Sequence, residues 1–292
     1  MPICSKKLVK KTLRNENILP LKRLGQNFLI DKGVIKRTIA AADLKKNNIV
    51  LEIGPGTGFL TKELAKKVKT VIAVEKDARM VNLLNENIKS WGYKNIKVFQ
   101  EDVLKADIKR YMLKTPKHPA KAGATGQAIN YKLVANLPYY ITSPVIRSFL
   151  ERNNPPKLMV LMIQKEVAQR ICAKPPNMSI LAVSVQFYAK PKIISFVSKK
   201  SFWPQPKVDS AIIKITKIKE QRIINRKFFF EIVRAGFSQP RKKIINNLYK
   251  KLKKDRKRIA DWLLKNKVRP EQRAETLSIN DWLALTVNFP FA

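Results

Sequence analysis

The chain has 292 residues, 45% of them hydrophobic, which is enough to bury the core of one large domain or of a core domain with a smaller second one. Its 60 Lys and Arg outnumber 21 Asp and Glu, and the formal net charge of +39 favours RNA, DNA or an anionic membrane as the partner, unless every surface is simply lysine-rich. The sequence has no apolar run near the roughly 20 residues of a membrane span. Cys4 and Cys172 form neither a disulfide framework nor a metal-binding spacing, and this use of cysteine fits a reducing cytoplasm.

The first 23 residues are basic and lack the apolar core of a secretion signal. Glu16 and the scarcity of Ser disfavour a transit peptide, so we interpret this segment as a basic arm that contacts nucleic acid. Asp31 is placed to cap a helix that continues to about Ala42. The next apolar and periodic segments predict, in order, a strand over 48–54, a helix over 59–68, a strand over 70–77, a helix over 79–91 and a strand over 95–102.

Residues 114–130 are rich in Pro, Gly, Ala and Lys and predict a surface loop, which contains the only histidine, His118. A buried strand follows and stops at Asn136-Leu137-Pro138-Tyr139-Tyr140. Thr142 or Ser143 is predicted to cap the next helix, with Pro144 in its first turn. Further along, we predict a strand over 157–166, a helix over 178–190 and a late pair of strands over 192–199 and 210–217.

Strands that alternate with helices over 48–166 predict an α/β fold with a mostly parallel sheet covered on both faces, and the late strands predict an antiparallel edge. After about residue 218 the pattern becomes helical, so the predicted domains are 1–218 and a small all-helical domain over 219–292. Residues 190–270 contain 25 Lys or Arg against 5 Asp or Glu. The lysines opposite an apolar stripe of this region are candidate RNA-binding residues: Lys242, Lys243, Lys250 and Lys251.

The segment "LEIGPGTGF" places Gly54, Gly56 and Gly58 after the first long strand, where open α/β sheets bind ligands. Glu75 ends the next strand, 21 residues after Gly54, and can accept hydrogen bonds from both hydroxyls of a ribose. Asp102 ends the third strand and can accept one from an adenine amino group. A nicotinamide dinucleotide is one candidate cofactor, but its G-x-G-x-x-G pattern requires glycine where Phe59 stands.

The observed G-x-G-x-G, with Glu52 just before it, resembles the first motif of class I S-adenosylmethionine-dependent methyltransferases, which have a Rossmann-like sheet. Methylation of an exocyclic base amine would explain "NLPY" at the end of a strand. The amine lone pair is delocalised into the ring, so the nitrogen becomes a better nucleophile when acceptors hold its N–H groups. The Asn136 side-chain oxygen and the carbonyl of Leu137 or Pro138 are the candidate acceptors. Pro138 stiffens the turn and Tyr139 offers its face to the base.

Six segments in order make the whole chain resemble the ribosomal RNA adenine N6-dimethyltransferases, which modify two adjacent adenosines near the end of small-subunit rRNA. They are "LGQNFLID" (24–31), "LEIGPGTGFLT", "VEKD" with "ED", "NLPYYI", "SFWPQPKVDSAI" (201–212) and "RAGFSQPRKKIINNL" (234–248). The resemblance implies that Phe202 stacks on the target adenine opposite Tyr139. It also implies a set of residues that contact S-adenosylmethionine: Asn27, Leu29, Gly54, Gly56, Glu75, Asp102 and Asn136.

The resemblance implies a cytoplasmic, monomeric enzyme whose partner is an immature small ribosomal subunit, with a catalytic domain and a helical RNA-binding domain. The 114–130 loop is longer than the family pattern leads us to expect. Two alternatives stay open at this point. One is a large-subunit rRNA methyltransferase of the macrolide-resistance type. The other is a non-catalytic nucleic-acid-binding assembly or transcription factor on the same fold.

Overall fold

A computed structural model describes residues 4–113, 130–216 and 225–290. The predicted surface loop lies outside these residues except for Asn130, and so does His118. The helices are α1 (Lys6–Asn15), α2 (Lys32–Ala41), α3 (Phe59–Ala65), α4 (Ala78–Trp91), α5 (Ile108–Leu113), α6 (Thr142–Leu150), α7 (Lys165–Ile171), α8 (Ile180–Tyr188), α9 (Arg226–Gly236), α10 (Ile244–Leu252), α11 (Arg256–Lys265) and α12 (Ile279–Val287). The strands are β1 (Phe28–Leu29), β2 (Ile49–Ile53), β3 (Thr70–Glu75), β4 (Ile96–Gln100), β5 (Lys132–Asn136), β6 (Leu158–Gln164), β7 (Lys190–Val197), β8 (Phe202–Trp203) and β9 (Ser210–Thr216).

The first compact unit contains a seven-stranded sheet in the order β4-β3-β2-β5-β6-β9-β7. Strands β4, β3, β2, β5 and β6 pair in parallel, and β9 pairs antiparallel with β6. This confirms the predicted Rossmann-like class of fold. The chain builds β3 and β4 on one side of β2 and then returns to place β5 on the other side. The carboxyl ends of β2 and β5 therefore flank the switch point, where such sheets bind their ligands.

Burial explains why the central strands read as continuous apolar runs. Every residue of β2 and β3 is buried, since helices cover both faces of a parallel sheet. By contrast, β7 at the sheet edge alternates between exposed and partly buried residues. The central parallel strands end at one edge of the sheet, so the polar side chains that follow them lie together at that edge.

The compact units divide the chain differently from the predicted domains in one segment. The first unit comprises 1–168 and 192–218, whereas 169–191 clusters with 219–292 in the second. Within this second unit, α8 contacts α9 and α12, and the Phe187 and Phe229 rings lie 4.3 Å apart. The segment that carries α8 thus shares the aromatic core of the helical unit, which a division by sequence order alone does not show.

Two local features differ from or add to the sequence prediction. A short 3-10 helix, Tyr139–Ile141, runs straight into α6, so the N-cap is Ile141 and neither Thr142 nor Ser143 caps the helix. In addition, β1 and β8 form a separate two-stranded antiparallel sheet that pairs Leu29 with Phe202. Among the described residues, no helix is both long and apolar enough to cross a membrane.

Candidate active site

A cavity of about 330 Å³ opens at the carboxyl edge of the sheet. Its volume lies at the lower end of the range typical of small-molecule sites, about 300–1,000 Å³. All the residues predicted from sequence as catalytic or cofactor-binding line it: Asn27, Leu29, Gly54, Gly56, Glu75, Asp102, Asn136, Leu137, Pro138, Tyr139 and Phe202. The fold therefore brings residues from separate sequence motifs together around one cavity. The role of each residue stays a prediction.

The sheet order sets the sequence of these groups along the cavity. Asp102, Glu75, Gly54 and Asn136 follow or end β4, β3, β2 and β5, which are successive neighbours in the sheet. Neighbouring strands lie about 4.8 Å apart, so this row spans about 14 Å. An elongated ligand with an adenine, a ribose and a charged end would meet these groups in turn.

The glycine loop between β2 and α3 lies against two other motifs. Gly54 and Gly56 have φ of +63° and +54°, a conformation that residues with a Cβ rarely adopt. A Cβ on Gly56 would lie 3.2 Å from the Phe28 ring, and one on Gly54 would lie 3.8 Å from Pro138 Cδ. The loop needs glycine at both positions for its backbone conformation, and at Gly56 a Cβ would also be tight against Phe28.

Glu75 is held by backbone amides at the end of β3. Its Oε1 accepts from the amides of Lys76 and Asp77 at 2.8 and 3.0 Å, and its Oε2 accepts from the Gly56 amide at 3.3 Å. Burial raises the pKa of this carboxyl, although the amide hydrogen bonds oppose the shift. The carboxylate is therefore fixed in orientation beside the glycine loop, where it can accept from ribose hydroxyls.

Asp102 has a partner that the sequence prediction did not include. Its Oδ2 accepts from Lys76 Nζ at 2.9 Å, and its Oδ1 accepts from the Leu104 amide at 3.1 Å. The Lys76 hydrogen bond is the largest cause of the lowered pKa of Asp102. An adenine amino group that donates to Asp102 would thus share this ionised carboxylate with Lys76.

Glu52 lies beneath the glycine loop and is 1% exposed. Burial raises its pKa to about 8, with the charge of Glu75 adding to the shift and Thr61 opposing it. Its Oε2 has no hydrogen-bond partner among the described residues. A neutral carboxylic acid suits this position better than a carboxylate, because an unpaired buried charge is far more costly than an unpaired neutral group.

The Asn136 amide is oriented by the N-terminal segment. Its Nδ2 donates to the Asn27 carbonyl at 3.2 Å. Because a carbonyl can only accept, the nitrogen must face Asn27, and Oδ1 is left to accept from a ligand. This is the orientation that methylation of a base amine requires.

The structure also distinguishes between the two backbone carbonyls that were predicted as the second acceptor for the target amine. The Pro138 carbonyl accepts from the Ile141 amide at 3.2 Å inside the 3-10 turn. The Leu137 amide donates to the Met162 carbonyl at 3.1 Å, whereas no described residue donates to the Leu137 carbonyl. Leu137 is therefore the better candidate, and its amide ties the corner to β6.

The two predicted base-stacking residues, Tyr139 and Phe202, are each held by a contact with a neighbouring strand. The Tyr139 hydroxyl shares a hydrogen bond of 2.8 Å with Ser210 Oγ at the start of β9, and Ser210 is fully buried. Burial raises the pKa of the Tyr139 phenol, so it stays neutral. Phe202 is 3% exposed and pairs with Leu29 in the small sheet.

Sequence reasoning missed several residues that complete this cavity. Gln26 donates to Asp77 Oδ2 at 2.9 Å and accepts from the Leu21 amide at 2.8 Å, which fastens the N-terminal segment beside the site. Ser210 lies inside the motif that contains Phe202, yet a small serine in a strand gives no signal of its own. Tyr140 lines the rim and is 54% exposed.

The four candidate RNA-binding lysines do not form one cluster. All four are exposed, but Lys242 and Lys243 precede α10 whereas Lys250 and Lys251 lie in its last turn. At 1.5 Å per residue, the two pairs lie about 10 Å apart along the helix axis. Residues 225–290 thus present two cationic patches, one at each end of α10.

The chain is similar to known proteins over most of its length. A family model described as "Ribosomal RNA adenine dimethylase" matches residues 21–289. The chain is 42% identical over 284 residues to the "Ribosomal RNA small subunit methyltransferase A" of Dehalococcoides mccartyi, covering 96% of this chain and 92% of that protein. It resembles the crystal structure of a dimethyladenosine transferase from Plasmodium falciparum, with a TM-score of 0.71, 30% identity and coverage of 90% of this chain and 97% of that one. For the 23S rRNA methyltransferase ErmE, the TM-score is 0.70, the identity 26% and the coverage 90% and 99%.

The hydrogen bond between Tyr139 and Ser210 predicts a coupled pair. We expect Ser210→Ala and Tyr139→Phe each to lower kcat about tenfold, because the ring loses its anchor, with cofactor affinity unchanged. The double variant should be little worse than either single one, giving a coupling energy of about 1 kcal/mol in a double-mutant cycle. Strictly additive effects on kcat would contradict the assigned contact.

The raised pKa of Glu52 predicts a pH-dependent loss of stability. The folded state keeps the proton up to about pH 8, whereas the unfolded chain loses it near 4.5, so the contribution is favourable at low pH and is lost between these values. Glu52→Gln should therefore gain stability relative to the wild type as the pH rises from 5 to 8, by a few kcal/mol at most. Thermal unfolding across this range measures it, with Glu86→Gln on the exposed face of α4 as the control. A gap between wild type and Glu52→Gln that stays constant with pH would contradict the shift.

Proposed function

Since the chain belongs to the ribosomal RNA adenine dimethylase family, we propose that it dimethylates the N6 amines of two adjacent adenosines near the 3′ end of small-subunit rRNA. The observation that carries the proposal is the Asn136 amide at the cavity, whose nitrogen donates to the Asn27 carbonyl and leaves the side-chain oxygen to accept from the target amine. The enzyme class and the use of S-adenosylmethionine follow from the family. The small-subunit target rests on the similarity to proteins named ribosomal RNA small subunit methyltransferase A.

The cavity fits S-adenosylmethionine. When bound, this cofactor supplies a methyl group on a positively charged sulfur that leaves as a neutral thioether. Asp102 would hold the adenine amino group and Glu75 the ribose, because both carboxylates are fixed by backbone amides at neighbouring strand ends. The glycine loop beside Phe28 would hold the remainder of the cofactor. The "NLPY" corner, at the end of the neighbouring strand β5, would then face the charged end.

The chain's own residues position the amine. Asn136 Oδ1 and the Leu137 carbonyl accept its two N–H groups, which draws the nitrogen toward a tetrahedral shape and exposes its lone pair. Tyr139 and Phe202 hold the ring between them, and stacking contributes about 1–3 kcal/mol per base. Placement of the two reacting atoms in line can contribute about 7–11 kcal/mol in favourable cases. A strong general base is not needed, since the nitrogen becomes acidic after transfer and loses its proton readily.

The adenosine must leave its stack to enter a cavity of this depth. We propose that the partner is an immature small ribosomal subunit, in which the rRNA end is accessible, and that the enzyme acts as a monomer in the cytoplasm. Two cysteines are too few for a disulfide scaffold, which agrees with a reducing compartment.

In this proposal, the lysines at the two ends of α10 bind the RNA backbone. Lys242 and Lys243 stand at the amino end of the helix, where the macrodipole is already positive. Two cations there are unfavourable for the helix itself. Because the first two amides of α10 already donate to the Gln272 and Pro270 carbonyls, the lysine side chains would be the groups that bind a phosphate. The position of these lysines thus supports a role in binding rather than in stability.

Transfer of methyl groups to rRNA is the direct test. Unmethylated small subunits incubated with the enzyme and labelled cofactor should yield N6,N6-dimethyladenosine at two adjacent positions after digestion. Asn136→Ala should lower kcat by about a hundredfold or more, as expected for loss of a preorganised polar contact, while cofactor binding stays measurable. Label on large-subunit rRNA instead would support the macrolide-resistance type. A wild type that binds no cofactor would support the non-catalytic alternative.

Charge reversal at α10 tests the RNA grip. Lys242→Glu with Lys243→Glu, and separately Lys250→Glu with Lys251→Glu, should each weaken RNA binding about tenfold and flatten the slope of log K against log salt, because fewer counterions are released. Lys89→Glu with Lys94→Glu makes the same charge change at exposed positions of the other unit. Equal weakening of RNA binding in this control would show that net charge alone explains the effect of the α10 variants. A loss of cofactor affinity in an α10 variant would indicate misfolding.

A further inference from the structure

A shallow groove runs along α6 beyond the active-site cavity. It is lined by Ser143, Pro144, Arg147, Ser148, Glu151 and Arg152. Pro144 also lines the cavity, so the two depressions meet at one residue. The groove therefore begins where a nucleotide would leave the site.

An exposed aromatic ring lies at the rim of the cavity, four residues before the shared Pro144. Tyr140 is 54% exposed although it lines the cavity, whereas the preceding Tyr139 is held through its hydroxyl. A Cβ on Gly25 would lie 3.5 Å from the Tyr140 ring, so one side of the ring rests on the N-terminal segment. A ring that is supported on one side and open to solvent offers a stacking surface for a base.

The two arginines of the groove are arranged to meet an anion. The Arg152 guanidinium lies 4.5 Å from the centre of the Phe149 ring, with Nη2 3.5 Å from Ser148 Oγ. Arg147 is 77% exposed, and its Nε donates to Glu151 at 3.0 Å. An exposed ion pair of this spacing is weak. A phosphate can replace Glu151, because guanidinium binds it through two hydrogen bonds.

We infer that the α6 groove binds the RNA strand adjoining the flipped adenosine, with Tyr140 stacking on the next base and Arg147 and Arg152 contacting its phosphates. This inference rests on the proposed function, since a target base in the cavity places its neighbour at the rim. Stacking at Tyr140 would hold the second of two adjacent adenosines close to the site while the first is modified. The groove then contributes to the choice of two neighbouring bases.

Paired neutral substitutions test the inference on the full chain. The probe is a fluorescent single-stranded RNA containing two adjacent adenosines, titrated at several salt concentrations. Arg147→Gln should weaken binding about three- to tenfold and lower the salt slope by about 0.7, the value for one phosphate contact on a single strand. Glu151→Gln should strengthen binding, because it removes the competitor of the phosphate. Tyr140→Ala should weaken binding about tenfold, and Tyr140→Phe should restore it.

Lys89→Gln and Glu86→Gln on α4 are the matched controls, with the same charge changes at exposed helical positions. Equal effects from the α4 and α6 pairs would overturn the inference, since net charge alone would explain them. Normal binding of Arg147→Gln to the RNA with impaired binding to small subunits would also overturn it and indicate a protein contact. If the wild type methylates rRNA and the α6 variants behave like it, only this inference fails. A wild type without methyl transfer refutes the proposed function instead.

Discussion

The hydrogen bond from Asn136 Nδ2 to the Asn27 carbonyl is the contact on which the active site depends. It joins the last residue of β5 to the segment before β1, which are 109 residues apart in the chain. A planar amide has one donor end and one acceptor end, so fixing the donor decides where the acceptor points. The N-terminal segment is therefore part of the catalytic geometry as well as a wall of the cofactor cavity.

That segment is itself held at both ends. Gln26 ties it to Asp77 after β3, and the pairing of β1 with β8 brings Phe202 beside Leu29. The same short stretch thus contacts Asp77 after β3, the "NLPY" corner and Phe202, which adjoin or belong to the proposed ribose, amine and base sites. A displacement of the segment would disturb cofactor binding and amine orientation together, so the two functions share one support.

The long apolar runs allowed the sheet and the positions of Glu75 and Asn136 to be predicted, because a strand buried on both faces carries most of its polar residues at its ends. Glu52, inside β2, is an exception. The β1–β8 pair could not be predicted in this way, since two residues show no period. The N-cap of α6 was wrong because the 3-10 turn from Tyr139 already satisfies the entry to the helix. The placement of 169–191 was also missed, since the apolar residues of α8 predict burial but do not say which unit buries them.

A basic protein that uses a positively charged cofactor must separate two electrostatic tasks. The net charge of +39 attracts RNA, yet exposed charges are screened beyond about 10 Å in physiological salt. The cavity is lined by three carboxyl groups, Glu75, Glu101 and Asp102, and by one cation, Lys76. Backbone amides hold Glu75, whereas Glu52 lies deeper with one oxygen unpaired and is better neutral, because burial raises its pKa to about 8. The carboxyl groups that line the cavity therefore favour a cation there and the neutral Glu52 adds no charge, while the lysine-rich surface favours the binding of RNA.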